Sequence, residues 1–413
     1  MTWVSSNQRP ARTGVAARLL AELLSAGGVA WLVVFSSVAL SYLGIRAIDV
    51  ATEGEPAARH VLGAIASKQL LLALVGLAGG AVAAMVHYRV WGWSSWLFFG
   101  VAIALIVFTL LPFVPTWLVR PRNGARGWID LGPFELQPAE LAKVAYVLAL
   151  AWYLRYSTTH RTFRGLIPPA LITGVPVALI TLQPDLGSAS LYIPVLFTVL
   201  AAAGAKLKHL AIVVLAAALA APAVYPALKP HQKQRIEGLI QQVRGDTSAD
   251  QDVNMQSVVA QRLIGAGEAV GMGEAKSRAI VQYSRLPERH NDMVFAVVVN
   301  RWGLAGGLWV VGLYLVWVVS ALATAWTIRE PFARLTIIGF ATFMLVQVFV
   351  NMGMNLGIVP IIGVTLPFVS YGGSSLVTGW LMTGIVIGIA VRRPGMPRYR
   401  SFEYSESEEV AVD

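Results

Sequence analysis

The stretch from Leu286 to Ala296 reads L-P-E-R-H-N-D-M-V-F-A and sets Glu288, Arg289, His290 and Asp292 where a polar segment meets an apolar run. A carboxylate there can take a proton, while a guanidinium and an imidazole can hold an anion. That combination suits an enzyme at a membrane surface, acting on a substrate with a lipid tail and a polar head. A plainer reading stands beside it. An Asn-Asp pair just before an apolar run is a good helix N-cap, because a side-chain oxygen can accept the first unpaired N–H groups.

A second group of charges lies between Arg120 and Lys143, in R-P-R-N-G-A-R-G-W-I-D-L-G-P-F-E-L-Q-P-A-E-L-A-K. Arginine forks match phosphate oxygens bidentately, so Arg120, Arg122 and Arg126 fit a lipid-linked diphosphate. An interfacial anchor, with Trp128 in the aromatic belt, accounts for them equally well. Pro138 suits a first helical position, and Glu140 and Lys143 then share one helix face three residues apart. Two ionisable groups a turn inside a membrane helix face a protein interior or a wet cavity, so they form either a structural ion pair or part of a site. Gln183-Pro184-Asp185-Leu186-Gly187 is a short turn in which Asp185 caps the next helix or joins the same cavity. Toward the C-terminus, Pro360, Pro367 and Gly357, Gly363, Gly372 and Gly373 interrupt an apolar run. Irregular backbone at membrane depth is tolerated only where protein or a cavity covers it. Ser370, Ser374 and Ser375 supply hydroxyls that would bind a sugar or cap the last helix. Glycines 265, 267, 271 and 273 give a clamp-like loop, although a glycine run with no preceding strand is weak evidence for phosphate binding.

The elements that must position these groups are membrane helices. The chain has 413 residues, 56% hydrophobic and only 13% charged, with a mean hydropathy of +0.64, whereas a soluble domain carries about 25% charged residues. Absence of cysteine excludes disulfides, thiolate nucleophiles and thiolate metal sites, and the six histidines are scattered. No basic patch interleaved with aromatics points to nucleic acid. A span needs roughly 17–25 apolar residues, and ten stretches qualify or nearly do: Gly27–Ile45, Gln69–Val86, Trp93–Leu111, Pro138–Leu154, Leu166–Leu182, Leu186–Ala203, Leu210–Leu228, Met293–Ile328, Leu335–Met354 and Ser374–Val391. The eighth is long enough to bend near Arg301. The first lacks a cleavage site and reads as a retained span.

The expected fold is therefore all-α, a ten-helix membrane domain over residues 27–391. A basic arm (1–26) precedes it and a polar tail (392–413) follows, both cytoplasmic, with a large outer loop at 229–292 between the seventh and eighth spans. Within that loop Val258–Leu263 would be an amphipathic helix at the interface. Inside segments carrying Arg9, Arg12, Arg18, Arg155, Arg161, Arg164, Arg392 and Arg393 outweigh outside loops with Arg46, Arg59, Lys68, Arg120, Arg122 and Arg126, which gives this orientation. It places Glu140, Lys143, Asp185 and Asp292 at one outer depth. No internal repeat supports a transporter built from repeated halves.

Together these segments resemble the SEDS family (RodA, FtsW and SpoVE) of bacterial cell-wall synthesis, from about Gly124 to Ser375. The elements are G-A-R-G-W-I with Q-P-A-E-L-A-K, Q-P-D-L-G-S-A, I-G-A-G, L-P-E-R-H-N-D-M-V-F-A and G-V-T-L-P-F-V-S-Y-G-G-S-S, in order and in register. The resemblance implies a peptidoglycan glycosyltransferase that polymerises lipid II, as donor and acceptor, at the outer face of the cytoplasmic membrane. It implies a class B penicillin-binding protein, the cross-linking transpeptidase, as partner. By motif position Asp292 is the expected catalytic aspartate, with Glu140, Lys143 and Asp185 its other sensitive charges. Asp292 would be the base for the acceptor hydroxyl, and one carboxylate near the acceptor suffices for inversion. Lys143, Arg126 and Arg289 would steady the diphosphate. Gln183, Asp185, Glu288, His290, Ser370, Ser374 and Ser375 would bind substrate. Glu140 would orient Lys143, or with Asp185 help hold a divalent cation such as Mg or Mn; no protein-only metal site is assigned. Asn291 replaces the family's threonine, Asn300-Arg301 stand where an acidic pair is usual, and the glycine clamp is altered. The absence of a long terminal extension leans toward elongation and RodA, with a division role like FtsW as the alternative. A precursor flippase and a non-catalytic scaffold are the competing classes.

Overall fold

A computed structural model describes residues 28–52, 62–121, 125–132, 134–227 and 254–392, with a few positions between 233 and 241. The basic arm, Arg122, Gly124, the Arg235-Ile236 pair, the acidic stretch Asp246–Asp252 and the tail from 393 lie outside the described residues.

The chain forms α1 (Gly28–Thr52), α2 (Ala64–Met85), the short α3 (Tyr88–Trp93) and α4 (Ser95–Leu110). A two-stranded antiparallel hairpin, β1 (Ile129–Asp130) and β2 (Glu135–Leu136), leads into α5 (Pro138–Leu154). Next come α6 (Ile167–Leu182), α7 (Leu186–Ser190), α8 (Tyr192–Ala202) and α9 (Leu207–Val224). The long polar loop contributes α10 (Met255–Ala266) and α11 (Gly273–Tyr283), and α12 (Val294–Thr327), α13 (Pro331–Asn355) and α14 (Gly373–Arg392) complete the fold. The architecture is all-α, as expected.

Each of the ten apolar stretches falls on helix. Among the described residues, six helices are long and apolar enough to cross a membrane by themselves: Gly28–Thr52, Ala64–Met85, Arg164–Leu182, Val294–Thr327, Pro331–Asn355 and Gly373–Arg392. Shorter apolar helices cover Ser95–Leu110, Leu186–Ala202 and Leu207–Ala220, and α5 adds a helix with two charges in its first turns. The outward faces keep large apolar side chains such as Phe35, Leu97, Leu219 and Trp309 exposed, as lipid contact requires. α1 runs past its expected end at Ile45 to Thr52, which brings Arg46 and Asp49 onto helix.

Between helices, buried polar groups pair with one another. Trp317 Nε1 on α12 donates to Ser37 Oγ on α1 (3.1 Å) and Thr383 Oγ1 on α14 (3.2 Å). An unpaired donor at that depth costs several kcal/mol. The bend expected near Arg301 occurs at Gly303, where α12 breaks with φ 69° and ψ −170°. The glycine loop between α10 and α11 fills that break. Leu304 N donates to Glu268 O (2.8 Å), Ala305 N to Ala269 O (3.3 Å), and Met272 N to Asn300 O (2.9 Å). A Cβ on Gly303 would lie 2.4 Å from Ala269 O, so only glycine permits both the turn and the contact. The expected amphipathic helix is α10, whose Ser257, Ala260 and Leu263 are buried; Ser257 Oγ donates to Met354 O at the end of α13.

Candidate active site

Three amides on α13 organise the site. Gln347, Asn351 and Asn355 recur every fourth residue on one face of an apolar helix, and all are buried. Gln347 Nε2 donates to Thr365 O (3.0 Å). Asn351 Nδ2 donates to Val364 O (2.7 Å) and Asp292 O (2.8 Å). Asn355 Nδ2 also donates to Asp292 O (3.0 Å), while its Oδ1 accepts from Ala296 N (3.2 Å). This stripe satisfies the irregular segment after α13 and fixes the backbone of Asp292 beside it. It was missed in the sequence, although the four-residue spacing of amides in an apolar span was the available signal.

The N-cap expectation for Asn291-Asp292 is corrected here. The N-cap of α12 is Met293, which makes no side-chain capping bond, and the amide of Ala296 is shared between Met293 O (3.2 Å) and Asn355 Oδ1 on another helix. Asn291 turns its amide instead to Glu288 Oε2. The Asp292 carboxylate is half-buried and lies beside Gly363: a Cβ there would stand 3.5 Å from Asp292 Oδ2, and Gly363 has φ 72°. One residue earlier, Ile362 O faces Gly187 on α7 so closely that a Cβ on Gly187 would come within 2.2 Å. The segment 358–366 thus joins the Asp292 loop to the Asp185 turn.

Asp185 does cap its helix, accepting from Ser188 N at 2.9 Å, and Gln137 Nε2 lies 3.5 Å from its other oxygen. The charges of Lys143 and Glu140 both act on the Asp185 carboxylate, so these three of the four expected groups are brought together. Lys143 Nζ donates to Glu140 Oε1 (2.7 Å) and to Gln347 Oε1 (2.9 Å). With side chains only 1% and 6% exposed, this pair is closed off by its neighbours and acts on the site through Gln347 and Thr365.

The serines hold loops together. Ser370 Oγ accepts from Leu366 N (2.7 Å) and donates to Asn291 O (2.7 Å). Ser374 Oγ accepts from Gln137 N (2.8 Å) and donates to Glu135 O (2.7 Å), tying α14 to the β-hairpin. Ser375 Oγ meets Thr365 Oγ1 at 3.1 Å. Gln183 is buried against Thr109 on α4. Arg126 is half-buried; its Nη2 donates to Val114 O (3.0 Å), and its Nε, also buried, makes no hydrogen bond. Arg120 lies 3.6 Å from Asp130.

Glu288, Arg289 and His290 line a cavity of about 520 Å³ with Thr52, Ile65, Gln282, Arg285 and Leu286. Arg289 Nη2 is steadied by Gln282 Oε1 (2.7 Å). Burial, the largest influence, pushes the His290 imidazole below its ordinary value of 6.5, so the ring is neutral at pH 7. Its backbone carbonyl accepts from Tyr371 N (2.8 Å), and its ring meets Tyr371 edge-on. Arg285 and Glu288 have φ 48° and 51°, in the left-handed region that side chains seldom adopt. A protein-only cation cage does not fit. Glu140 is engaged by Lys143, and the described residues contain no group of three acidic, His or Cys side chains able to hold a metal.

Known proteins share this arrangement of helices. The family model described as a cell cycle protein of FtsW/RodA/SpoVE type matches residues 23–394. A probable peptidoglycan glycosyltransferase FtsW from Geobacter sp. (strain M18) is 32% identical over 79% of this chain and 87% of its own. The peptidoglycan glycosyltransferase RodA of Treponema pallidum is 28% identical over 88% and 98%. Among solved structures, a peptidoglycan synthase complex that coordinates polymerization and crosslinking superposes with a TM-score of 0.73 at 31% identity, covering 90% of this chain and 98% of that one. The rod shape determining protein RodA of Thermus thermophilus gives 0.63 at 27% identity, over 88% and 97%. With a family match over nearly its whole length and a helical framework held in common, this multi-pass membrane protein belongs to the FtsW/RodA/SpoVE family.

Proposed function

We propose that Asp292 is the base of a glycan-polymerising reaction at the outer face of the cytoplasmic membrane, with lipid II as donor and acceptor. The chain is a peptidoglycan glycosyltransferase. The observation that carries the Asp292 assignment is the way its backbone is pinned by Asn351 and Asn355 while the carboxylate stands beside a glycine, in a loop bordered by a cation-bearing cavity. A base whose main chain is pinned on both sides is positioned before substrate arrives, which is what preorganisation requires.

In the reaction the acceptor 4-hydroxyl attacks the donor's anomeric carbon and its proton passes to Asp292. The bond to the diphosphate oxygen breaks, and the polyprenyl diphosphate leaves. General-base help of this kind is worth about 10²–10⁴ in rate. The half-buried arginines, Arg126 and Arg289, would meet the leaving diphosphate. Neutral His290 and the polar lining of the cavity take sugar or peptide groups. Lys143 and Glu140 hold the segment 358–366 in place through Gln347 and touch no substrate. No step is routed through a cation. Both termini lie in the cytoplasm across ten spans, and a class B penicillin-binding protein is the partner that cross-links the product.

Purified protein supplied with lipid II tests the reading: the native chain makes glycan strands, and Asp292→Asn, folded and inserted, makes none. Equal polymer from that variant removes Asp292 from the chemistry. Protected translocation of lipid II without polymer would make the chain a flippase, and neither activity would leave a scaffold.

A further inference from the structure

The Asp292 loop, residues 284–293, runs from the end of α11 to the start of α12, so the separation of those two helices sets its course. An apolar cluster anchors both ends: Leu286 and Met293 are buried with Val50 and Ala51 of α1, Leu263 of α10 and Val281 of α11. Above it one carboxylate collects three guanidinium groups from three helices. Glu274 on α11 accepts from Arg301 of α12 (2.6 Å), Arg278 of its own helix (2.8 Å) and Arg46 of α1 (3.2 Å). Arg278 reaches on to Asp49 of α1, bonding its carboxylate and, at 2.9 Å, its carbonyl. Arg301 donates to Arg46 O (3.0 Å), and Ser277 Oγ donates to Asn300 Oδ1 (2.8 Å) along the same seam. Arg278 and Arg301 are buried, and Asp49 is buried with them. Asn300 and Arg301, which replace the usual acidic pair, therefore both face α11.

We infer that Glu274 is a positioning residue for the transfer reaction, a single anion that draws α1, α11 and α12 into the register at which the loop presents Asp292. It touches no substrate. Without its charge, Arg46, Arg278 and Arg301 stand close together with Asp49 the one carboxylate among the described residues that pairs with any of them, and their repulsion acts across the seam that fixes the loop's ends. The inference rests on Asp292 as the reacting group, because misplacing a catalytic group by about 1 Å can cost on the order of 10² in rate.

The experiment compares the full chain with Glu274→Gln, which keeps shape and removes charge, and Glu274→Asp, which keeps charge. Turnover and KM for lipid II are measured together with amide hydrogen exchange over Leu286–Asp292. Glu274→Gln lowers kcat by about tenfold or more with KM nearly unchanged, as expected when an interaction made in the transition state is lost. Exchange in the loop rises with it, and Glu274→Asp recovers most of both. Arg46→Gln, removing one half-exposed guanidinium, moves both readouts the same way by less. If Glu274→Gln keeps native kcat, raises KM alone, or loses turnover with loop exchange unchanged, the inference is overturned; it is also overturned if that variant does not fold and Arg46→Gln shifts neither readout. A native chain that makes no polymer would refute the functional reading instead, and the exchange measurement would still report on Glu274.

Discussion

Truncating Glu140 to alanine tests how far the site depends on a buried charge pair. Lys143 Nζ and Glu140 Oε1 are 2.7 Å apart with side chains 1% and 6% exposed, so Glu140→Ala leaves an ammonium inside the protein without its counter-charge. Breaking such a pair from one side costs about 3–5 kcal/mol. Lys143 keeps Gln347 Oε1 at 2.9 Å, which offsets part of the loss and puts the cost near the lower end, about 3 kcal/mol. That is roughly a hundredfold in the folding equilibrium. For a chain this long it amounts to a fall of roughly 5 °C in Tm, since each kcal/mol moves a large domain by about 2 °C or less. The assay is thermal unfolding of detergent-purified protein at one scan rate for every variant, because unfolding of such proteins is irreversible and rate-dependent. The control is Glu140→Ala combined with Lys143→Met, which removes both charges and is expected to be more stable than Glu140→Ala alone. An unchanged Tm for Glu140→Ala, or a double variant that loses the sum of the two single losses, refutes the reasoning.

Acid should weaken the outer-loop seam. The hydrogen bond from Arg278, opposed next by burial and reinforced by the Arg301, Arg278 and Arg46 charges, holds the Glu274 carboxyl below its ordinary 4.5. A depressed folded value means the unfolded chain binds more protons. This stabilisation is complete above 4.5 and is lost as pH falls through the folded value, so unfolding temperature drops there in the native chain and less in Glu274→Gln. Orientation can be read by labelling, because the chain has no cysteine of its own. Glu288→Cys, at an exposed loop position, should react with a membrane-impermeant maleimide in intact cells, and Tyr156→Cys, exposed beyond the far end of α5, only after permeabilisation; the reverse pattern would invert the topology.

Span positions, the break near Arg301, the α10 helix and the Glu140–Lys143 pair were all legible, because each follows from apolar run length or helix spacing. The nearness of Glu140, Lys143 and Asp185 was legible too, since each lies at the end of an apolar run. The role of individual polar groups was less so. Ser370, Ser374 and Ser375 read as sugar ligands or caps, but Ser370 and Ser374 bond to distant loops, pairings over long sequence separation that local pattern does not encode, and Ser375 meets Thr365 in the segment before its helix. Lys143 read as a diphosphate ligand, yet packing of α13 against α5 closes over it. Arg46 was assigned to a loop because hydropathy ends the first span at Ile45, whereas the helix runs on to Thr52, where Asp49 meets Arg278 of α11.

Capping offers the sharpest contrast. An Asn-Asp pair before an apolar run predicts a local cap, and the helix start does need one, since its first amides have no partner within the helix. Here Asn355 adds a side-chain acceptor for Ala296 N from across the bundle, beside the local Met293 O, and in the same stroke binds Asp292 O. The irregular backbone after α13 makes the same demand: Val364 O and Thr365 O must be satisfied inside a membrane protein, and Asn351 and Gln347 do so. One row of amides thus meets the hydrogen-bonding needs of a helix start and an unwound segment together. Because Asn351 serves Val364 O and Asp292 O with one amide group, the segment beside Gly363 and the loop bearing Asp292 cannot shift independently, and the carboxylate keeps its position relative to the backbone it faces.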